Sequence, residues 1–362
     1  STGEHTMSKA RGLADLGNAY DDGALSNRNL IVNSAMQVAQ RGTSETGVTA
    51  SGYRNACDRY RCNGNNGTWT ISQDTDAPEG FSNSFKMLLT ATESLGSLDY
   101  WSVEQRIEGQ NLQHLKYGTA SAQSVTLSFW VKSNVTGTYC VNLYQDDGTS
   151  NYPDTYTINA ADTWEYKTIV YDGNTATSLD NDNVSSLRTG FFVLAGSDYT
   201  SGATGSRAAY SNATYAAGQA ANVGSAVNNY WQITGVQLEV GDTATPFEHR
   251  SYGQELALCQ RYYFEARRGS YPEAYHYYAR SNTAVVGNVP FPVTMRATPS
   301  VTLNSNGVDN RAVRVDTAAL VTFSPAQSWW TKDAMAGLYT SVNTPFVSGE
   351  SYGIGIKADA EL

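Results

Sequence analysis

The sequence has little charge, few histidines and no long apolar run, and each shortage excludes a class of protein. Lys, Arg, Asp and Glu make up 16% of the 362 residues, with a net charge of −10 and a pI near 4.9. Non-specific nucleic-acid binding is excluded because it needs clustered cations. No window reaches 18 consecutive apolar residues, so we expect no membrane insertion. No apolar run follows a charged start, so no secretory signal is predicted.

Cysteine and histidine are too scattered for the common zinc sites. No C-x-x-C pair and no H-x-x-x-H pattern occurs. We predict that the cysteines are small buried apolar residues, since free cysteine is often fully buried. The alternative for Cys57 and Cys62 is a loop disulfide. The remaining cysteines and the histidines are Cys140, Cys259, His5, His114, His249 and His276.

Uncharged polar residues and tyrosine replace the missing charge. The chain has 24 tyrosines, 7 tryptophans and 32 glycines, and 11% of its residues are aromatic. This aromatic content argues against disorder. A neutral, polar and tyrosine-rich surface suits binding better than proton-transfer chemistry. The predicted class is therefore a β-rich binding protein.

The organisation along the chain predicts four parts. Residues 1–28 form an N-terminal attachment or oligomerisation segment. Within it, residues 8–17 have a short helical pattern that would be stable only when packed against copies of itself or a larger assembly. Residues 29–250 form a jelly-roll β-sandwich, and residues 251–264 a connecting helix. The rest of the chain, 265–362, forms a small C-terminal β domain, so the fold class is all-β.

The β prediction depends on alternating apolar and polar residues. The predicted strands cover 124–133, 138–144, 163–171, 190–194 and 230–240. The turn between the first two predicts a β-hairpin. Within the last, one extra residue at Thr234–Gly235 restores the alternation, which predicts a β-bulge. Residues 196–229 lack periodicity and are interpreted as a long surface excursion.

The connecting helix and the C-terminal strands have their own signals. Ser251 and Gln254 form a capping box, and Leu256, Cys259 and Tyr263 share one helix face. The strands that follow are predicted within 282–291, 300–305, 311–316, 319–324 and 351–358. In the last of these, Gly353 and Gly355 form a face that permits close approach of another backbone, which in an oligomer could be that of a neighbouring chain.

Two patterns resemble catalytic or metal sites. Gly349 to Gly353 match G-x-S-x-G, but a strand follows Ser351 and no histidine follows it in the chain, so we reject a nucleophile elbow. Four aspartates lie in two Gly/Asn/Ser-rich segments, where turns favour aspartate. The alternatives are a structural calcium site or a carboxylate pair for glycoside hydrolysis. These residues are Asp146, Asp147, Asp180 and Asp182.

Aromatic density is the more informative feature. Sugars present C–H faces that stack on aromatic rings and hydroxyls that bond to amides, so an aromatic, amide-rich surface suits them. Residues 261–280 and 324–330 are rich in such rings. Within these segments Tyr262 and Tyr263, like Trp130 elsewhere, are expected in the core or at subunit contacts. The candidate ligand-binding residues are Trp329, Trp330, Tyr275, Tyr277 and Tyr278.

Several strings of residues resemble phage tail-fibre and receptor-binding proteins. They are NLIVNSAMQVAQRG (29–42), YRNACDRY (53–60), QRIEGQNLQHL (105–115), TLSFWVKS (126–133), TWEYKTIVYDG (163–173), ADAEL (358–362) and, most strongly, 233–263. The last string is similar to C-terminal regions of fibre-like proteins of tailed phages, including marine and cyanobacterial ones. Residues 8–28 resemble the lead-in that precedes this region in longer fibres.

The resemblance implies a carbohydrate-binding-module-like jelly roll and a homotrimer. It also implies attachment to other virion proteins through the N-terminal segment and distal surfaces that contact the host envelope. Such jelly rolls often hold Ca²⁺ against an aspartate of the last strand. Here that strand reads Gln232-Ile233-Thr234-Gly235, without the aspartate.

The sequence therefore predicts a non-enzymatic adhesin on the virion surface. As a homotrimer it would bind host-surface polysaccharide, and several weak sites acting together would give strong attachment. No cofactor is expected beyond the open question of structural calcium. The alternatives are a capsid decoration or connector protein, and a glycan depolymerase that uses the four aspartates.

Overall fold

A computed structural model describes residues 27–266, 275–305, 308–327, 331–341 and 343–362. The predicted helix at 8–17 lies outside the described residues. No helix within the described ranges is long and apolar enough to span a membrane.

Thirteen strands form the first region of the described chain. They are β1 (Ser44–Val48), β2 (Gly52–Tyr53), β3 (Arg61–Gly64), β4 (Thr68–Asp74), β5 (Ser84–Ala91), β6 (Tyr100–Glu108), β7 (Val125–Ser133), β8 (Gly137–Gln145), β9 (Ser150–Ile158), β10 (Glu165–Tyr171), β11 (Ser185–Ala195), β12 (Ala208–Ala209) and β13 (Tyr230–Val240). Short 3₁₀ turns lie at Gly109–Asn111, Gln113–Leu115 and Val223–Ser225.

These strands form two antiparallel sheets that pack face to face as a sandwich. Sheet A has the order β1-β4-β5-β13-β7-β10, and sheet B has the order β12-β9-β8-β11-β6-β3-β2. The rings of Trp69 (sheet A) and Trp101 (sheet B) pack edge to face in the core, with their centroids 6.1 Å apart. Asn66 joins them, because its carbonyl accepts a hydrogen bond from each indole N–H. The predicted jelly-roll class is confirmed.

The alternation in the sequence places the core side chains correctly. Val125, Leu127, Phe129 and Val131 of β7 are all fully buried between the sheets. The predicted bulge is also confirmed, since the four residues of β13 from Thr234 to Gln237 lie opposite three residues of β7, Ser128 to Trp130. Gly235 has a φ of +61° there, which favours glycine. The four cysteines are buried and free, as predicted, so the loop-disulfide alternative is wrong.

The predicted hairpin between β7 and β8 is wrong. Strand β7 pairs with β10 and β13 in sheet A, whereas β8 pairs with β9 and β11 in sheet B. The turn crosses from sheet A to sheet B because its polar groups form hydrogen bonds with residues outside the turn. The Asn134 side chain accepts from Tyr230 N–H (2.9 Å), which fixes the turn to the start of β13. Because the turn crosses the sandwich, β7 and β8 bury their apolar faces in the same core from opposite sides.

Two short helices, α1 (Ser197–Thr200) and α2 (Asn212–Tyr215), lie in the excursion. Helix α3 (Tyr252–Gln260) follows the sandwich. Helix α3 begins at the predicted capping box, in which the Ser251 side chain accepts from Gln254 N–H. It ends four residues before the predicted end, because Tyr263 to Ala266 form strand β14 paired with the last strand of the chain.

A third antiparallel sheet contains the C-terminal strands. Its strands are β14 (Tyr263–Ala266), β15 (Tyr275–Ser281), β16 (Ala284–Pro290), β17 (Ser300–Ser305), β18 (Val308–Asp309), β19 (Arg311–Arg314), β20 (Leu320–Thr322), β21 (Pro325–Gln327), β22 (Ala334–Ser341) and β23 (Ser351–Asp359). The main strand order is β18-β17-β23-β15-β16-β22-β21. Every strand predicted here is present, and the sheet has a hydrophobic core separate from that of the sandwich.

Close backbone approach at the glycine face of β23 is confirmed. A Cβ at Gly355 would lie 2.8 Å from the Ala266 carbonyl oxygen and 2.6 Å from Asn304 Oδ1. The approaching backbone is that of the chain's own strand β14. At Gly355 this face is therefore filled within one chain.

The entry and the exit of the sandwich lie side by side. Asn29 N–H donates to Glu248 Oε2 (2.9 Å), and Leu30 N–H donates to the Leu238 carbonyl (2.9 Å). Arg250, just before α3, donates to the Ile31 carbonyl (3.1 Å). The chain therefore enters and leaves the sandwich at one corner.

A buried ionic cluster joins the sandwich to the C-terminal sheet. Arg41 and Arg59 of the sandwich both pair with Glu361, and Arg41 also lies 3.9 Å from Asp58. Their guanidinium groups stack 3.6 Å and 3.4 Å from the rings of Tyr263 and Tyr262, respectively. Both tyrosines are buried, as predicted.

Candidate functional site

A cleft of about 250 Å³ lies on the outer face of sheet B, and we call it the tyrosine cleft. Four strands, β3, β6, β8 and β11, supply its floor, and three segments of the excursion supply the tyrosines above it. Its lining residues are Asn63, Tyr100, Tyr144, Arg188, Tyr199, Tyr210 and Tyr215. Strand alternation explains the floor, because the neighbours of these residues along each strand point inward to the core. The volume suits a small part of a larger ligand rather than a whole one.

Tyr215 is the centre of the ring cluster. Its ring lies 5.4 Å from Tyr100 and 5.8 Å from Tyr210, with interplanar angles of 89° and 72°. Edge-to-face contacts of this kind stabilise aromatic pairs beyond their buried area. Asn63 Nδ2 donates to the Tyr215 hydroxyl at 3.5 Å. These contacts hold the rings in fixed positions along the cleft.

The surface excursion is fastened to sheet B by hydrogen bonds. Gln219 Oε1 accepts from Cys140 N–H (2.6 Å), and Asn142 Nδ2 donates to the Tyr215 carbonyl (2.8 Å). Ala216 and Ala217 of the excursion are fully buried. These contacts hold Tyr215 above the strands, so the cleft has rigid walls.

Burial keeps the cleft hydroxyls protonated. It raises the pKa of Tyr100, Tyr144, Tyr199 and Tyr215 above the usual value for tyrosine. At neutral pH each hydroxyl can donate as well as accept a hydrogen bond. Together with the Asn63 amide, they match the mixed donors and acceptors of sugar hydroxyls.

One end of the cleft adjoins a group of charged side chains, which we call the arginine end. The Glu104 carboxylate is buried and pairs with Arg61 at 2.8 Å and Arg106 at 2.9 Å. Arg188 lies 3.8 Å from Glu104 and 2.6 Å from Asp146. The guanidinium carbon of Arg188 is 4.1 Å from the Tyr144 ring centroid. Charge and aromatic surface therefore meet at Arg188.

A second aromatic cluster lies on the outer face of sheet A. Trp130 and Tyr166 are 5.3 Å apart there, beside Phe247 and a space of about 330 Å³. Trp130 is partly exposed, so within one chain it lies outside the core, and its expected alternative place at a subunit contact stays a prediction. The bulge glycine Gly235 makes this arrangement possible, because a Cβ there would lie 2.6 Å from the Phe81 ring. This cluster has fewer polar groups than the tyrosine cleft.

The three predicted aromatic binding residues that the structure describes are divided between the two faces of one strand. Tyr275, Tyr277 and Tyr278 lie on β15, where alternate residues face opposite sides. Tyr277 is 0% exposed within the C-terminal core, so its prediction as a surface ligand-binding residue is wrong. Tyr275 is half-buried on the same face, whereas Tyr278 is 55% exposed on the other. Trp329 and Trp330 lie outside the described residues.

Three of the four candidate aspartates use their side chains in turns or ion pairs. Asp146 accepts from Ser185 Oγ (2.6 Å) and pairs with Arg188. Asp147 accepts from Asp180 N–H (2.9 Å), and Asp182 accepts from Val184 N–H (3.1 Å). In the part of the chain that the structure describes, no three His, Cys, Asp or Glu side chains converge as metal ligands would.

The sequence alone did not locate the tyrosine cleft. Its residues come from segments up to about 150 positions apart, such as Asn63 and Tyr215 (|i−j| = 152). The available signal was the group of tyrosines at 199, 210 and 215 within the excursion. Without periodicity, nothing in that segment shows which sheet face it covers.

No family model and no curated protein matches this sequence. Solved structures with similarity to the chain include carbohydrate-binding modules and a phage tailspike domain. The enzymatically active domain of bacteriophage CBA120 tailspike protein 4 has 13% identity and a TM-score of 0.32, with 59% of this chain and 21% of that one covered. The family 11 carbohydrate-binding module from Clostridium thermocellum, in complex with a mixed-linked tetrasaccharide, has 13% identity and a TM-score of 0.27, covering 57% and 99%. TmCBM61 in complex with β-1,4-galactotriose has 8% identity and a TM-score of 0.29, covering 59% and 99%.

Proposed function

We propose that this protein binds glycan through the tyrosine cleft, without enzymatic activity. The observation that carries the proposal is the fixed set of tyrosine rings and hydroxyls, with an amide and a guanidinium, on one open sheet face. Rings contact the C–H faces of a sugar at low entropy cost, and the polar groups bond to its hydroxyls. A cleft of this size would contact one sugar unit of a longer chain.

We further propose that the protein is a virion fibre or appendage that acts as a homotrimer. This proposal is supported by the resemblance of residues 29–42 and 233–263 to phage fibre proteins. Three clefts engaging one polysaccharide surface would turn weak single-site binding into firm attachment. Light scattering of the purified protein should give about three times the monomer mass of 39.2 kDa. A monomer at micromolar concentration would contradict the trimer.

The cleft is tested by alanine variants of its two rim tyrosines. Tyr199→Ala and Tyr210→Ala should each weaken binding to host-surface polysaccharide about fivefold, equivalent to about 1 kcal/mol per lost aromatic contact. Tyr210 is 43% exposed, so truncation should leave the fold intact. Binding would be measured by affinity electrophoresis in gels that contain the polysaccharide.

Tyr278→Ala is the matched control, because Tyr278 is comparably exposed but lies on the C-terminal sheet. It should bind as the unchanged protein does. Loss of binding in Tyr278→Ala alone would move the site to the C-terminal sheet. Release of new reducing ends from the polysaccharide would contradict the non-enzymatic proposal.

A further inference from the structure

We infer that the tyrosine cleft takes an acidic saccharide, with a sugar carboxylate held at the arginine end. This inference rests on the proposed function and names the ligand class of the same site. Three features carry it: the alignment of the arginines, the local charge, and the number of donors left for a ligand.

Strand register aligns the three arginines on one face. Arg188 of β11 lies opposite Arg106 of β6, and Arg61 of β3 lies opposite Glu104 of β6. Residues two apart on a strand share a face. Arg61 therefore lies on the same face as the cleft residue Asn63, and Arg188 itself lines the cleft. A ligand stacked on the tyrosines can reach the arginine end without leaving the sheet.

The local charge at this end is positive within an acidic protein. The three guanidinium groups face two carboxylates, Glu104 and Asp146, so the local sum is 3 − 2 = +1. The chain as a whole carries −10. This difference would orient an acidic sugar with its carboxylate toward the arginines.

The arginines keep donors for a ligand. Each guanidinium has five N–H donors. Within the described residues, Glu104 accepts one hydrogen bond from Arg61, and two from Arg106 that share a single oxygen. The side chains of both arginines remain 22% exposed, and that of Arg188 remains 18% exposed. Arginine suits a second carboxylate here, since its planar fork forms paired charge-assisted bonds.

The test compares acidic polymers with their neutral esters on the unchanged protein. The probes are polygalacturonate and polymannuronate, each with its methyl-esterified form, which keeps the sugar chain and removes the charge. At least one acid form should bind about tenfold more tightly than its ester, as expected for one charge-assisted contact. Free galacturonate should compete with the bound polymer, whereas free galactose should not.

Variants then locate the contact. Arg61→Gln and Arg106→Gln should each lower the acid-to-ester ratio of affinities at least threefold, while Arg61→Lys should retain part of it. Arg314→Gln is the matched control, because the Arg314 side chain is similarly exposed (23%) and paired with acids on the C-terminal sheet. Circular dichroism checks the fold of each variant. The comparison of acid with ester stays decisive if a variant does not fold.

The outcomes separate this inference from the proposed function. Equal affinity for acid and ester forms would overturn the acidic ligand class and leave glycan binding in place. Absence of binding to all four polymers, with binding to host-surface polysaccharide retained, would overturn the acidic ligand class, whereas loss of binding to that polysaccharide as well would contradict both. A preference for the acid form that survives in Arg61→Gln and Arg106→Gln would also overturn the assignment to the arginine end.

Discussion

Gly64 and Gly190 of sheet B differ in how much room their surroundings leave for a side chain. Gly64 lies on β3 opposite Trp101 of β6, and Gly190 lies on β11 opposite Glu104 of β6. A Cβ at Gly64 would lie 2.2 Å from the Tyr100 carbonyl oxygen and 2.6 Å from the Trp101 ring. At Gly190 the nearest atoms would be 3.9 Å away. Only Gly64 is required for the close approach of β3 to the start of β6.

Gly64→Ala is therefore expected to destabilise the protein by about 2 kcal/mol, since backbone and a buried indole must shift to admit the methyl group. The matched Gly190→Ala should change the free energy of unfolding by less than about 0.5 kcal/mol. Urea denaturation followed by tryptophan fluorescence measures both. Equal stability of the two variants would show that the approach of Gly64 to β6 is looser than described.

At the scale of elements, helix α3 depends on the residue that precedes it, Ser251. The Ser251 side chain accepts from Gln254 N–H, and the Gln254 side chain accepts from Ser251 N–H in return. This pair satisfies donors that the first helical turn leaves open. The helix has nine residues, a length at which a helix alone is marginal.

Replacing Ser251 with alanine should lower the free energy of unfolding by about 1 kcal/mol, because the capping hydrogen bond is lost. Ser251→Asp is the control, since aspartate caps helices as well as serine does. Thermal melting of the three proteins provides the comparison. A melting temperature of Ser251→Ala that equals that of the parent would contradict a role for the cap in global stability.

The elements also show what the sequence could and could not predict. Alternation of apolar and polar residues, an interruption of that alternation and a capping box are patterns among residues close in sequence. They therefore predicted strands β7 and β13, the bulge at Gly235 and the start of α3 correctly. Pairing partners are not local. The side chain of Asn134 bonds to Tyr230 almost a hundred residues later, so the turn after β7 crosses the sandwich and forms no hairpin. The tyrosine cleft was missed for the same reason.

At the scale of the whole molecule, a buried carboxylate sits where the two regions meet. Asp58 is 1% exposed and accepts two hydrogen bonds from Gln40, at 3.0 Å and 2.7 Å. Gln40 also donates to the Tyr263 carbonyl (2.7 Å) in the C-terminal sheet. Burial raises the pKa of Asp58 to about 6, although Arg41 and these hydrogen bonds oppose the rise.

This raised pKa predicts a specific dependence of stability on pH. Between about pH 4 and pH 6 the folded protein binds the Asp58 proton and the unfolded chain does not, so protonation stabilises the fold as pH falls. The contribution between pH 7 and pH 5 is about 1 kcal/mol. His114, whose pKa is lowered by burial, acts in the opposite direction.

The Asp58 contribution is isolated by Asp58→Asn. Urea unfolding of both proteins at pH 7 and pH 5 should show that the parent gains about 1 kcal/mol more than the variant on acidification. Parallel changes in the two proteins would contradict a raised pKa. Below about pH 4.5, Glu108 reverses the trend, because Arg261 and Tyr262 lower its pKa despite its burial.

The shared corner where the sandwich begins and ends has a mechanical consequence. A pull between the segment before Asn29 and helix α3 would enter and leave the sandwich at adjacent points, joined by the contacts of Asn29 with Glu248 and of Arg250 with Ile31. The load would pass through this short bridge and bypass the strands that carry the tyrosine cleft. The cleft would then keep its shape while the chain is under tension.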